Sequence, residues 1–339
     1  MKNRVGQVYE ARKLNFIERE LLPLKEHQVL VKIKASCICG SDLHIYKDAH
    51  PAVKLPVTVG HEFTGIVQEV GGAVTKFLPG DRVVVEPTIA CGHCESCRKG
   101  AYGYCENISF TYRQGDGSMA DFFIGEEERI YSLPDSVDFE KGALTEPLAV
   151  AVHAVKRAGV GIGKKVAVIG AGAIGIMIAA VCKRLGASEI VVSDYSMFRL
   201  EMARNLSGAR TVYAREENAE EVVAALSQSK GFDIVFECVG LEQTINQAMR
   251  MAKSNGMVVD VGIFEKPTIQ IDASLLVKKE LRMIGSQGYC WDFEDALQLL
   301  TELPLEQLLT HRFPLEELES AFRTAADINA NAVKVCVCP

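Results

Sequence analysis

The sequence lacks a basic surplus: 37 lysines and arginines stand against 44 aspartates and glutamates, for a net charge of −7. Nucleic acids and anionic membranes reward a positive face, so neither is expected as a partner. An apolar run of membrane-spanning length is also missing. The one tempting stretch, Val166 to Cys182, is uncharged but short, and carries glycines at 170, 172 and 175; it reads as a buried strand followed by a buried helix. The opening residues Met1-Lys2-Asn3-Arg4-Val5-Gly6-Gln7 hold no apolar segment and no small-residue cleavage site, so no secretory signal is expected and the cytoplasm is the expected location. Internal repeats and low-complexity segments are absent too. What remains is ordinary globular composition, 48% hydrophobic and 24% charged. At 339 residues the chain exceeds what one core fills, which points to two domains.

The first third reads as short strands and turns. Val29 to Lys34 and Arg82 to Val85 are β-branched runs, Gly65 to Val70 ends in the glycine pair Gly71-Gly72, and Pro79-Gly80-Asp81 is a turn. From Pro147 the rhythm changes. A helix to Ala158 is followed by alternating strands (165–169, 189–193, 233–237, 257–261) and helices (174–185, 199–206, 243–251), the pattern of βαβ units and a parallel sheet. A helix over 293–303 and a strand over 333–337 close the chain.

Eleven cysteines without a signal peptide point to thiols and metal ligands rather than disulfides. Cys91-x2-Cys94-x2-Cys97-x7-Cys105 is the most specific local pattern. Four thiolates on a short loop can close around one tetrahedral Zn2+ and leave no open position, a structural site that stands in for a core. An iron–sulfur cluster is the rival, but the fourth cysteine follows at a distance and no proline succeeds it. His93 lies inside the loop and is expected to be structural, because four cysteines saturate the metal.

A second set is dispersed: Cys39-Gly40-Ser41-Asp42-Leu43-His44, then Gly60-His61-Glu62, then Glu146-Pro147. Together they offer a thiolate, an imidazole and two carboxylates, suited to a catalytic Zn2+ with one replaceable ligand. Asp42 is positioned to accept the second ring N–H of His61 and fix its tautomer. Further on, the strand Val166–Ile169 runs into Gly170-Ala171-Gly172-Ala173-Ile174-Gly175 and a helix, with Asp194 at the end of the next strand. In that context Gly-x-G-x-x-Gly is a dinucleotide fingerprint: Gly170 for the tight turn, Gly172 for backbone approach to the pyrophosphate, Gly175 for helix–strand packing. The helix N-terminus offers free N–H groups to phosphate. Asp194 is expected to hold the adenosine ribose and to repel a 2′-phosphate, favouring NAD, while Arg199 is the residue that could accept that phosphate.

Cys-Gly-Ser-Asp-x-His, Gly-His-Glu-Phe-x-Gly, Pro-Gly-Asp-Arg-Val, the four-cysteine lobe and the glycine-rich turn occur in one order that resembles the medium-chain zinc alcohol dehydrogenase superfamily over the whole chain. Glu62 and the segment Glu146-Pro147-Leu148-Ala149-Val150 resemble its polyol (sorbitol/xylitol) dehydrogenase branch. The resemblance implies a GroES-like β domain, residues 1–148 and 287–339, carrying both zincs. A Rossmann domain with a doubly wound parallel sheet, residues 149–286, is inserted in it, and the active site lies between the two. It implies Cys39, His61 and Glu62 as catalytic zinc ligands, with Glu146 binding directly or through water. Ser41 would receive the substrate proton and His44 would carry it to the surface. Val261, Gly262, Ile263, Ser286 and Gln287 stand where family members line the nicotinamide pocket, and His153 and His311 match no ligand position.

The implied reaction is NAD-linked oxidation of a secondary alcohol, with two Zn2+ per chain, a small-molecule substrate and a homo-oligomer, tetramer ahead of dimer. Sorbitol dehydrogenases commonly carry a tyrosine where this chain has Ile45 and an arginine where it has Gly288, although the adjacent Tyr289 is kept. L-threonine, sugar acids, inositols and aminocyclitols therefore stay open as substrates, as does a non-catalytic nucleotide-binding role.

Overall fold

The computed structural model describes residues 1–50, 53–114, 116–264, 266 and 268–339. It divides into two units, Met1–Glu146 with Phe293–Pro339, and Pro147–Asp292. Val166, Ala167 and Val168 have no exposed surface, as expected for a strand covered on both faces by helices. Among the described residues of the second unit, six strands form one sheet in the order Arg210–Tyr213, Glu189–Asp194, Lys165–Ile169, Phe232–Glu237, Ala252–Asp260, Arg282–Gly285, and every pair is parallel. The order reverses direction between Lys165–Ile169 and Phe232–Glu237. At such a point the loops leaving the carboxyl ends of the strands diverge and open a crevice for a ligand.

The uncharged stretch from Val166 to Cys182 is the strand Lys165–Ile169 followed by the helix Ala173–Arg184, in which Gly175 to Cys182 are buried. Among the described residues, no helix is long and apolar enough to cross a membrane. The second unit runs to Asp292, past the 286 expected for it, and begins at Pro147 rather than 149. The physical reason is a buried carboxylate: Asp292 accepts from His153 Nδ1 at 2.8 Å and Lys156 Nζ at 2.7 Å, which ties this segment to the helix Thr145–Ala158.

In the first unit the main sheet runs Ile130–Ser132, Arg82–Val85, Glu62–Val70, Gln28–Cys37, Lys334–Cys338, Leu309–Pro314, with Phe122–Glu126 also paired to Gln28–Cys37. Val29, Val31, Ile33, Phe63, Val83 and Phe123 alternate inward and share one apolar cluster. The final strand pairs with Gln28–Cys37, so residues near both ends of the chain build the same sheet. The first third is not all strand. A helix, Gly40–Tyr46, starts after Cys39 because the Asp42 carboxylate accepts the Cys39 N–H at 2.9 Å, and it buries Ile45 and Tyr46 against Phe322.

Candidate active site and metal groups

Cys91, Cys94, Cys97 and Cys105 converge with all their sulfurs within 4.8 Å of one another. Cys91 Sγ and Cys97 Sγ are 4.0 Å apart, close to the roughly 3.8 Å that sulfurs about 2.3 Å from one tetrahedral ion would have. Backbone N–H groups support the thiolates: Cys91 and Asn107 donate to Cys105 Sγ at 3.3 Å, and Cys94 donates to Cys91 Sγ at 3.4 Å. These four thiols cannot all ionise without a cation. The His93 and then the Cys94 N–H groups pull Cys91 down to about 6, whereas burial and the neighbouring thiols push Cys97 up to about 12. The donor set thus fits a closed zinc site. His93 turns away and donates from Nδ1 to the Cys91 carbonyl.

The second group is assembled by strand pairing. Cys37 is the register partner of Glu62, which brings Cys39, just beyond one strand, beside His61 and Glu62 at the start of the other. One ligand atom from each of Cys39, His61 and Glu62 lies within 4.8 Å of the others; His61 and Glu62 are buried and Cys39 is partly buried. Glu146 is buried too, but it is not a member of this group. The set combines a soft thiolate, an imidazole and a carboxylate with fewer ligands than a closed site, the donor chemistry of catalytic zinc.

Asp42 plays a part different from the one expected. Its Oδ1 is 3.6 Å from His61 Nδ1, within ion-pair range but longer than a hydrogen bond, and that buried nitrogen has no hydrogen-bond partner. Instead Asp42 accepts from the backbone N–H groups of Cys39 and Gly60, at 2.9 and 3.0 Å, and so fixes the chain beside two of the donors. Its charge still acts on the ring. Burial opposes a charged imidazole, but Asp42 and Cys39 outweigh it, and the His61 pKa stands well above 6.5. A region that holds a proton so firmly is electronegative, as a cation site must be. Tyr112 walls one side, its ring 5.2 Å from that of His61.

Lys334 was not found by sequence reasoning. Its Nζ donates to both carboxylate oxygens of Glu62, and both side chains are buried. Burial alone would lower the lysine pKa, but Glu62 overrides that and raises it. The available signal was a lysine at an alternating position within the apolar run Val333 to Val337. Ser41 and His44 sit three residues apart on the helix Gly40–Tyr46, hence on one face, and both are partly exposed.

The dinucleotide residues gather at the carboxyl ends of the parallel strands. Gly170 has φ +98°, and Gly172 caps the helix Ala173–Arg184. A Cβ on Gly172 would meet nothing within 4 Å, leaving room for a phosphate, whereas one on Gly175 would lie 1.9 Å from the Gly170 carbonyl oxygen. Replacing Gly175 by alanine is therefore expected to push the helix off the strand. A weakening of NADH binding of about tenfold or more, read by fluorescence titration, is the predicted outcome. Asp194 ends its strand with Oδ2 accepting from Ala171 N–H at 2.7 Å and Oδ1 from Ser196 N–H at 2.8 Å, which locks the carboxylate beside the glycine turn. Ile174 and Arg199 lie in the first turns of the helices Ala173–Arg184 and Met197–Ser207. Val261 and Gly262 N–H groups donate to the Glu237 carbonyl, and Ile263 and Gln287 are exposed. Ser286 N–H donates to the Asp260 carbonyl at 2.8 Å, while the buried Ser286 Oγ has no partner.

Asp260 itself was also missed. Burial and then the neighbouring Glu237 raise its pKa to about 6, and Oδ1 is buried without a partner. Because its folded-state pKa exceeds the value of about 3.9 expected in the unfolded chain, this group takes stability away as pH rises between the two. Asp260→Asn is expected to raise the melting temperature at pH 7.5 and to change it little at pH 4. An equal shift at both pH values would contradict this.

Residues 25–135 match the family described as alcohol dehydrogenase GroES-like domain, and residues 173–302 match zinc-binding dehydrogenase. A sorbitol dehydrogenase of Halalkalibacterium halodurans is 35% identical over 93% of this chain and 92% of that protein. One of Gallus gallus is 36% identical over 94% and 91%. The solved structure of 2R,3R-butanediol dehydrogenase from Bacillus subtilis superposes with a TM-score of 0.91 at 32% identity, covering 99% of both chains.

Proposed function

Since the chain belongs to the medium-chain zinc-dependent alcohol dehydrogenase family, in its polyol-dehydrogenase-like branch, we propose that it oxidises a secondary alcohol on a polyol or similar hydroxylated small molecule with NAD as hydride acceptor. The observation that carries this reading is the largely buried Cys39–His61–Glu62 group, with a complete four-cysteine lobe in the same unit. Cys39, His61 and Glu62 would hold the catalytic zinc, with Glu146 close by, and Cys91, Cys94, Cys97 and Cys105 the structural one. Bound zinc supplies Lewis acidity that brings the pKa of a coordinated hydroxyl toward neutrality. Ser41 Oγ accepts the proton that the substrate hydroxyl loses, and the His44 imidazole, on the same helix face and in contact with solvent, passes it on. Lys334 and Asp42 hold the donors in place.

The residues at the carboxyl edge of the parallel sheet form the NAD site in this reading. The turn Gly170 to Gly175 receives the pyrophosphate, Asp194 the adenosine ribose, and Val261, Gly262, Ile263, Ser286 and Gln287 the nicotinamide end. Asp194 favours NAD by repelling a 2′-phosphate, and Arg199 is the residue that would soften that preference. The enzyme acts in the cytoplasm as a homo-oligomer, tetramer ahead of dimer. Gly288, where sorbitol dehydrogenases commonly carry an arginine, offers a long polyol one polar contact fewer, so sugar acids, inositols, aminocyclitols and L-threonine compete with sorbitol.

The test is NADH formation by purified zinc-loaded protein across polyols, inositols, sugar acids, aminocyclitols and L-threonine, with NADP in parallel. Turnover of a polyol with NAD is the expected result. Turnover confined to threonine or a sugar acid would overturn the substrate class, and silence throughout would favour a nucleotide-binding role.

A further inference from the structure

The fourth cysteine of the lobe needs support that the other three do not. Cys91, Cys94 and Cys97 stand three residues apart, and Cys94 caps the short helix Glu95–Arg98 that carries Cys97. Cys105 follows only after seven more residues, among them Gly100, with φ +78°, and Gly103. Glycine loses the most conformational freedom on ordering, so chain entropy draws this ligand away first. Of those seven residues only Tyr102 is buried, at 4% exposed. It opens the turn Tyr102–Tyr104, and its carbonyl accepts the Cys105 N–H at 2.9 Å. Whatever holds the Tyr102 ring therefore holds Cys105.

The hold comes from the sheet. Arg129 lays its guanidinium over the Tyr102 ring, with Cζ 4.1 Å from the ring centroid, well inside the range of a cation–π contact. Glu86 fixes that guanidinium. Arg129 Nη1 donates to Glu86 Oε1 at 3.1 Å, and the Tyr131 hydroxyl donates to Glu86 Oε2 at 3.1 Å. The Glu86 side chain has no exposed surface, so water does not compete for it. Backbone pairing sets the position of both charges: Ile130–Ser132 pairs with Arg82–Val85, and the Glu86 N–H donates to the Arg129 carbonyl at 2.8 Å. The Tyr131 ring stacks on that of Phe293, 5.3 Å between centroids. Glu86, Arg129 and Tyr131 thus have their places without the lobe, and none of them belongs to either metal group.

We propose that Arg129, oriented by Glu86, clamps Tyr102 and so positions Cys105 to retain the structural zinc. The inference rests on the reading of the four-cysteine lobe as a zinc site and is independent of substrate and dinucleotide. A closed four-thiolate site exposes its ion only when one ligand departs, and three thiolates leave a position open to water or a chelator. The ligand with the loosest tether sets the rate of that loss. The clamp also requires a planar cation. A lysine could still pair with Glu86, but its compact ammonium could not lie flat on the ring.

The test mixes full-length, zinc-loaded protein with iodoacetamide and a zinc-binding dye, and weighs the tryptic fragments over time. Cys105 is the one cysteine in fragment 100–113, and Cys39, in fragment 35–47, reports the other metal group. In Tyr102→Leu, alkylation of Cys105 and release of one zinc per chain are expected to be about tenfold faster or more than in the wild type. Fragment 35–47 should keep its wild-type rate. Tyr102→Phe keeps the ring and should match the wild type. Arg129→Lys keeps a charge beside Glu86 but gives up the stack, and should match Tyr102→Leu, with the double variant no faster than either. Wild-type rates at Cys105 in both Tyr102→Leu and Arg129→Lys would overturn the proposal. So would equal acceleration of fragment 35–47, the mark of general loosening, or a Tyr102→Phe as fast as Tyr102→Leu, which would assign the hold to the hydroxyl. Should Tyr102→Leu fail to fold, Arg129→Lys decides, because it leaves the buried ring and the charge pair in place.

Discussion

Replacing Cys39 by serine is expected to lower kcat/KM for alcohol oxidation about 10³-fold or more and to leave one zinc per chain instead of two. The magnitude follows from what is lost: metal activation of a hydroxyl contributes several kcal/mol, and about 4 kcal/mol is a factor of roughly 10³. A serine hydroxyl does not ionise near neutrality and is a poor substitute for a thiolate. The remaining donors, His61 and Glu62, are two of the three that lie within 4.8 Å of one another, and Glu62 is already shared with Lys334. The four-cysteine lobe should keep its ion, because its ligands are independent of residue 39. Steady-state kinetics and elemental analysis of the same preparation check both halves. Full turnover with two zincs bound would remove Cys39 from the site.

The second large effect concerns stability. Lys334→Met is expected to destabilise the metal-free protein by about 3–5 kcal/mol, because Glu62 is left as a buried charge without its partner. The side chains of Lys334 and Glu62 are 4% and 0% exposed, so solvent cannot stand in. Glu62→Gln in the same chain should recover part of the loss, since it removes the uncompensated charge. A double-mutant cycle from urea unfolding measures the coupling. With zinc present the loss should shrink, because a cation then faces Glu62 in place of the ammonium. If Lys334→Met cost no more with zinc removed than with zinc bound, the pair would have nothing to do with the metal group.

These two residues mark how far the sequence could be read. Cys39 was found because it stands in a short string, Cys39 to His44, whose residue types share a chemical purpose. Lys334 was not, because its partner lies 272 residues away and only strand register brings them together. Asp260 escaped for a related reason: a single acidic residue at the end of an apolar strand looks like the start of a loop until Glu237 is placed beside it. The helix Gly40–Tyr46 was missed because seven residues are too few to display a period, and it depends on the Asp42 carboxylate and on packing against Phe322.

By itself the sequence determined whatever is local. The four-cysteine lobe closes within the span Cys91 to Cys105, so spacing alone announces a tetrahedral site. The glycine-rich turn carries its own backbone requirement, met at Gly170 by φ +98° and at Gly175 by the 1.9 Å clash that a side chain would meet. The alternation of strands and helices implied a parallel sheet, because each segment's burial is written in its own residues. Only the tertiary structure decided the rest: that Cys39, His61 and Glu62 meet, that Lys334 and not solvent faces Glu62, and that Asp42 hydrogen-bonds the backbone of Cys39 and Gly60 while its charge acts on the His61 ring. The physical reason is that a local motif is fixed by covalent spacing. A contact between distant strands is fixed by register, which depends on the burial of every residue in the sheet at once.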